Sequence, residues 1–156
     1  MNGNLQQVDI RIATEADLVG LLRLYTQLSA SNDGTPRGQA TLALDAMLRR
    51  EGVTLLVATE GERLVGTVTL VIVPNLTHRA TPWAQLENMV VDDVARGTHV
   101  GRMLIEECVR LARMAGCYKV QLQSGNERRE PPNDAHGFYR HMGFAESAVG
   151  FRQYLE

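Results

Sequence analysis

Residues 86–124, LENMVVDDVARGTHVGRMLIEECVRLARMAGCYKVQLQS, decide the fold. The apolar-rich run from Trp83 to Val91 reads as a strand, ended by the acidic pair Asp92–Asp93. Val100, Leu104, Cys108, Leu111 and Ala115 then recur at helical spacing, and Met103 and Ala112 widen the stripe. Gly116 stops that helix, and YKVQLQS begins another strand at Tyr118. A strand, a helix and a strand joined by a crossover of this length predict parallel pairing. Between the first strand and the helix lies ARGTHVGRML, residues 95–104, with two arginines, two glycines and a histidine.

Upstream, Ile10 and Ile12 alternate with Asp9 and Arg11 as a short first strand, after a polar and loose stretch 1–8. Thr14 offers a helix cap with Asp17 three residues on, and Leu18, Leu21, Leu22, Tyr25 and Leu28 follow at helical spacing to about Ser29. Residues 30–38, ASNDGTPRG, have loop composition. A second helix is expected from about Gln39 to Glu51, with Leu42, Ala46 and Met47 on its inner face and Gly52 behind it. VTLLVAT (53–59) and LVGTVTLVIV (64–73), joined by EGER, form an antiparallel hairpin, and Pro74 blocks its extension. Downstream, 124–132 is a charged loop. Pro131 or Pro132 starts a helix bearing Ala135, Phe138, Tyr139 and Met142, Gly143 ends it, and Phe144 opens a final strand or pair of strands. The order predicts one domain of mixed α/β (α+β) class, with a central, mostly antiparallel sheet flanked by helices, and no internal repeat.

At 156 residues the chain suits a single core. A net charge of −2 and the lack of a basic face give no reason to expect a nucleic-acid partner. No run approaches the length of a membrane span, and MNGNLQQVD lacks the regions of a signal peptide, so the expected compartment is cytoplasmic. Cys108 and Cys117 are not a close-spaced pair and read as reduced packing thiols. His78, His99, His136 and His141 form no ligand set of usual spacing, and no metal is expected. Asp92 and Asp93, as consecutive residues, face opposite ways and suit turn and cap roles better than a shared-proton pair. Arg128 and Arg129 belong to the charged loop.

The loop at 95–104 has two readings. Helix-opening amides lack partners within the helix, and the aligned peptide dipoles leave that end partly positive, which suits phosphate oxygens. Gly97 and Gly101 permit close backbone approach, and Arg96 and Arg102 add charged donors. The other reading is a solvent-facing turn. A P-loop is excluded because no lysine followed by serine or threonine comes after the last glycine, and a dinucleotide fingerprint is excluded by its placement.

Taken with NDAHGFYRHMGF (133–144), the stretch 86–124 resembles the GNAT superfamily of acyl-CoA-dependent N-acyltransferases. The resemblance runs from Ile10 onward. It implies acetyl-CoA as acyl donor, backbone contacts from Met89, Val90 and Val91 to the pantetheine arm, and a diphosphate grip by the loop Arg96, Gly97, Thr98, His99, Val100, Gly101 and Arg102. Arg96 and Gly101 match the ends of the family's loop pattern, whereas His99 stands where a glycine is usual. Asn133 is implied as a further cofactor contact or as a helix cap. Tyr139 is implied as general acid toward the sulfur, beside a packing reading, and Glu87 as base toward the amine, beside a structural one. Strand alternation places Glu87, Met89 and Val91 on one face. The implied reaction is direct attack of a primary amine, in a small molecule or a peptide, on the thioester. ENMVVDD, GCYK and FRQYL also resemble glucosamine-phosphate N-acetyltransferases, while the segment GNERREPP departs from them. A noncatalytic acyl-CoA-binding regulatory module is the alternative of another class. A C-terminal edge strand would suit a homodimer.

Overall fold

Two runs rich in β-branched residues, Val53–Glu60 (β2) and Arg63–Val73 (β3), pair as the expected antiparallel hairpin, with a register shift at Ala58/Thr59. They are the centre of a sheet in the computed structural model, which describes residues 7–125 and 134–155. Val8–Ile12 (β1) adds antiparallel to β2, and Trp83–Val91 (β4) adds antiparallel to β3. Val120–Leu122 (β5) lies parallel to β4, giving the order β1-β2-β3-β4-β5. Parallel pairing needs a crossover, and the helix Val100–Met114 (α3) supplies it.

The helices Leu18–Leu28 (α1) and Arg37–Arg49 (α2) cover one face of the sheet, and α3 covers the other. Alternation along the strands divides the core accordingly. Leu56, Val68, Leu70 and Leu86 pack with Val100, Leu104, Ile105 and Cys108, whereas Leu55, Val57 and Val90 pack with Leu21, Leu24 and Leu44. Ahead of α1, the Asp17 carboxylate accepts the Thr14 N–H at 2.7 Å and pairs with Arg11, which fixes the helix start. The last helix, Ala135–His141 (α4), is capped by Asp134, whose carboxylate accepts the Gly137 N–H at 2.7 Å.

Two expectations change, and one falls outside the described residues. The inner face of α2 is Ala40 and Leu44, with Met47 and Leu48 partly covered, while Leu42 is 73% exposed and Ala46 is exposed. The helix carries two apolar stripes of the same period, and packing of Leu44 with Leu55 and Leu21 selects the stripe that also holds Ala40 and Met47. The strand expected from Phe144 does not form: 144–155 has no regular structure and finds no ladder partner among the described residues. Instead Phe144 sets its ring edge-on to Tyr139 at 5.9 Å, and Val149, Phe151, Tyr154 and Leu155 stand exposed. The expected starts at Pro131 or Pro132, with Arg128, Arg129 and Asn133, lie outside the described residues.

Candidate active site

β4 has two halves. Ala84, Gln85 and Leu86 pair with Val120, Gln121 and Leu122 of β5 and also with β3. Beyond Leu86 the β5 pairing stops, while β4 runs on to Val91 against β3 alone. The strands therefore part after Leu86, and Met89, Val90 and Val91 beyond the split border a cleft. The register on the other side also breaks there. Thr67 faces Val90 and Thr69 faces Glu87, so Val68 alone spans Asn88 and Met89. Asn88 takes φ 52°, a left-handed conformation that asparagine accepts more readily than most residues.

This bulge overturns the simple alternation. Met89 and Val91 join Leu86 on the α3 face, while Val90 enters the core beneath α1 and α2. Glu87, paired to Thr69 two positions from Thr67, shares the face of Val90 and not that of Met89. One strand thus presents a carboxylate to one side of the sheet and cleft-lining side chains to the other.

The cleft has a volume of about 330 Å³. Met89, Val90 and Val91 line it from β4, and Arg96, Gly97, Thr98 and Gly101 from the loop and the first turn of α3. Tyr139 and Phe138 close it from α4, and Leu28 from the end of α1. The sequence thus names most of this lining. His99, Val100, Arg102 and Glu87 are outside it. His99 is exposed and does not line the cleft. Val100 is buried in the core and anchors the helix, and Arg102 pairs along the helix with Glu106 at 2.7 Å.

The loop holds its own shape. Gly97 has φ +75°, where a Cβ would be strained. Thr98 Oγ1 donates to the Ala95 carbonyl at 2.6 Å and accepts the Val100 N–H at 3.4 Å. Arg96 donates from Nε to the Val91 carbonyl at 3.3 Å and pairs through Nη2 with Asp93 at 2.7 Å. At Gly101 a Cβ would lie 3.3 Å from Phe138 and 3.5 Å from Met89, so a larger residue would push into the cleft. The first-turn amides of Gly101 and Arg102 have no carbonyl one turn back within the helix.

The Tyr139 hydroxyl donates to Met89 Sδ at 3.7 Å, inside the cleft. Across the sheet, Glu87 Oε1 accepts from Gln85 Nε2 at 2.8 Å, and Gln85 Oε1 accepts from Gln121 Nε2 at 3.0 Å. Cys108 is buried, and that burial, aided by Glu107, pushes its thiol up to about 12, which suits packing and not nucleophilic attack.

A network that sequence reasoning missed ties α1 to this loop. Asp92 is 2% exposed. Its Oδ2 accepts from Arg23 at 2.6 Å and Arg63 at 2.9 Å, and its Oδ1 accepts the Val94 N–H at 3.4 Å. Burial alone would raise the carboxyl; these donors outweigh it and hold it at about 2. The available signal was Arg23 and Gln27, four apart beside the apolar stripe of an otherwise apolar helix.

Residues 14–144 match the family described as Acetyltransferase (GNAT) family. The chain belongs to this family. It is 32% identical over 144 residues to a glucosamine 6-phosphate N-acetyltransferase of Trypanosoma brucei brucei, covering 90% of this chain and 91% of the relative. A solved chain from Agrobacterium tumefaciens, assigned as an acetyltransferase, is 39% identical with a TM-score of 0.85, covering 94% of this chain and 99% of the other. A chain from Bacillus halodurans described as a transcriptional regulator is 27% identical with a TM-score of 0.87, covering 96% and 100%. This GNAT chain is an acetyl-CoA-dependent N-acetyltransferase. The residues present fit such a donor: a strand edge for an amide-bearing arm, and a glycine-flanked helix start for phosphate oxygens. Among the described residues, no group of three or more His, Cys, Asp or Glu side chains is placed to hold a metal, and no helix is long and apolar enough to cross a membrane.

Proposed function

We propose that the enzyme acetylates a primary amine by direct attack, with donor and acceptor bound together and no acyl-enzyme. The parting of β4 from β5 carries this reading, because it opens the sheet where a cleft on the α3 side meets a carboxylate on the α1 side. The β5-facing backbone groups of Met89, Val90 and Val91 hold the pantetheine arm, as an added strand would. Arg96 and the amides from Gly97 to Arg102 hold the diphosphate, and the Thr98 hydroxyl, donating to the Ala95 carbonyl, shapes the loop around it. Val100 acts there only through its amide, and His99 stands at the solvent side. Asn133 is retained as a cofactor contact by resemblance, the cap role having passed to Asp134.

Acetyl-CoA supplies an activated thioester carbonyl. Tyr139 Oη, already donating to a sulfur, delivers a proton to the departing thiolate. Glu87 takes a proton from the attacking nitrogen through Oε2 or a bridging water, while Gln85 holds Oε1. Positioning by two surfaces supplies much of the rate. The reaction needs no metal. We place the enzyme in the cytoplasm, and pair it as a homodimer through its exposed C-terminal apolar residues, Val149, Phe151, Tyr154 and Leu155. Neither nucleic acid nor membrane is a partner.

The relative from Trypanosoma brucei brucei favours one acceptor class, an aminosugar phosphate. The test is thiol release from acetyl-CoA across a panel of aminosugar phosphates, free aminosugars, polyamines and peptide N-termini. Turnover concentrated on an aminosugar phosphate supports that class, and turnover on another amine leaves the enzyme reading and removes the class. Tight acetyl-CoA binding without transfer to any amine would replace the enzyme with the regulatory module.

A further inference from the structure

We infer that Gln27 is a positioning residue for the diphosphate loop, acting through Asp93 on Arg96. The inference rests on the reading that this loop binds the donor's diphosphate. Gln27 lies on α1, immediately before Leu28, which lines the cleft. Its side-chain amide makes two hydrogen bonds to the other end of the site. Nε2 donates to Asp92 Oδ1 at 3.5 Å, and Oε1 accepts the Asp93 N–H at 2.9 Å.

These two contacts do different work from those of the arginines. Arg23 and Arg63 bind Oδ2 of Asp92 and compensate its charge, so the buried carboxylate stays paired without Gln27. Among the described residues the Asp93 amide has no such second support: Gln27 Oε1 is its acceptor. Asp93 in turn holds the Arg96 guanidinium at 2.7 Å, and Arg96 lines the cleft. A path of direct contacts therefore runs from α1, through the backbone of residue 93, to the cation nearest the proposed diphosphate. Removing Gln27 loosens the aim of that cation and leaves the fold's ionic tie in place.

The test is Gln27→Met, which keeps length and bulk and deletes both hydrogen bonds. Two donors are compared in wild type and variant: acetyl-CoA, and S-acetyl-pantetheine, which has the arm and thioester but no diphosphate. The expected result is a rise of about fivefold in KM and Kd for acetyl-CoA, as follows from losing about 1 kcal/mol of hydrogen bonding. Turnover at saturating acetyl-CoA stays within about twofold, and KM for S-acetyl-pantetheine is unchanged. Circular dichroism melting verifies that the variant is folded at the assay temperature. An unchanged KM for acetyl-CoA, or an equal loss with both donors, overturns the role of Gln27. If wild type itself does not favour acetyl-CoA over S-acetyl-pantetheine, the diphosphate reading of the loop fails first, whatever the variant does.

Discussion

The two halves of β4 have the same strand character and opposite duties. From Ala84 to Leu86 the strand is paired on both sides, and Ala84 and Leu86 are 0% and 3% exposed. From Glu87 to Val91 it is paired on one side only, bulged at Asn88, and exposed at both Glu87 and Asn88. In the first half side-chain packing sets the structure; in the second, backbone groups are left available. A strand can be scaffold and binding edge at once if its neighbour leaves it partway along.

If the open half is where chemistry occurs, substitutions that act there should change turnover more than stability. Tyr139→Phe removes one hydroxyl from the cleft wall and leaves the ring packing with Phe138 and Phe144. Turnover should fall about 100-fold, in the range of a lost general acid, with KM for acetyl-CoA within about twofold. Steady-state thiol release measures both. Equal turnover in the two proteins would reduce Tyr139 to a packing residue. On the opposite face, Glu87→Gln should lower turnover about tenfold and flatten the pH dependence of the single-turnover rate. The residual activity reflects positioning, which the substitution leaves intact. A retained pH profile of full amplitude would leave Glu87 a structural carboxylate.

Asn88 tests whether the bulge itself matters. Asn88→Gly keeps the left-handed backbone accessible and should alter kcat/KM by less than about twofold. Asn88→Val disfavours φ 52° and should cost about 1–2 kcal/mol of stability, with a several-fold loss in kcat/KM as Glu87 and Met89 shift faces. Urea denaturation and initial rates for the pair separate the two effects. If Val and Gly behave alike, the division of faces does not depend on this residue.

How far the sequence showed this depends on the range of the forces involved. The hairpin, the crossover helix and the loop at 95–104 were legible because each rests on local periodicity or on glycine placement. The bulge was not. Alternation read through Asn88 gives every side chain after it the wrong face, and a single left-handed asparagine leaves no periodic trace. The segment from Phe144 to the FRQYL end read as a strand, yet a strand also needs a neighbour, which composition cannot supply. The tie between α1 and the loop joins residues 65 and 69 positions apart, so spacing alone could not pair Gln27 and Arg23 with Asp92.

The end of the open half offers the smallest effect and a signature in pH. Asp92 closes β4, and its carboxyl is held at about 2 against an ordinary value near 3.8. Because the folded-state value is the lower one, the network's stabilisation is complete above about pH 4 and disappears as pH falls toward about 2. Its size is about 2 kcal/mol at most, since Arg23 and Arg63 are 40% and 55% exposed and solvent screens them. Asp92→Asn should therefore melt below wild type at pH 7, and the gap should close on acidification from about pH 4 to about pH 2. A gap independent of pH would mean that Asp92 acts by filling space and capping the Val94 amide, not by its charge. The open half would then be anchored by the same uncharged contacts that hold the paired half.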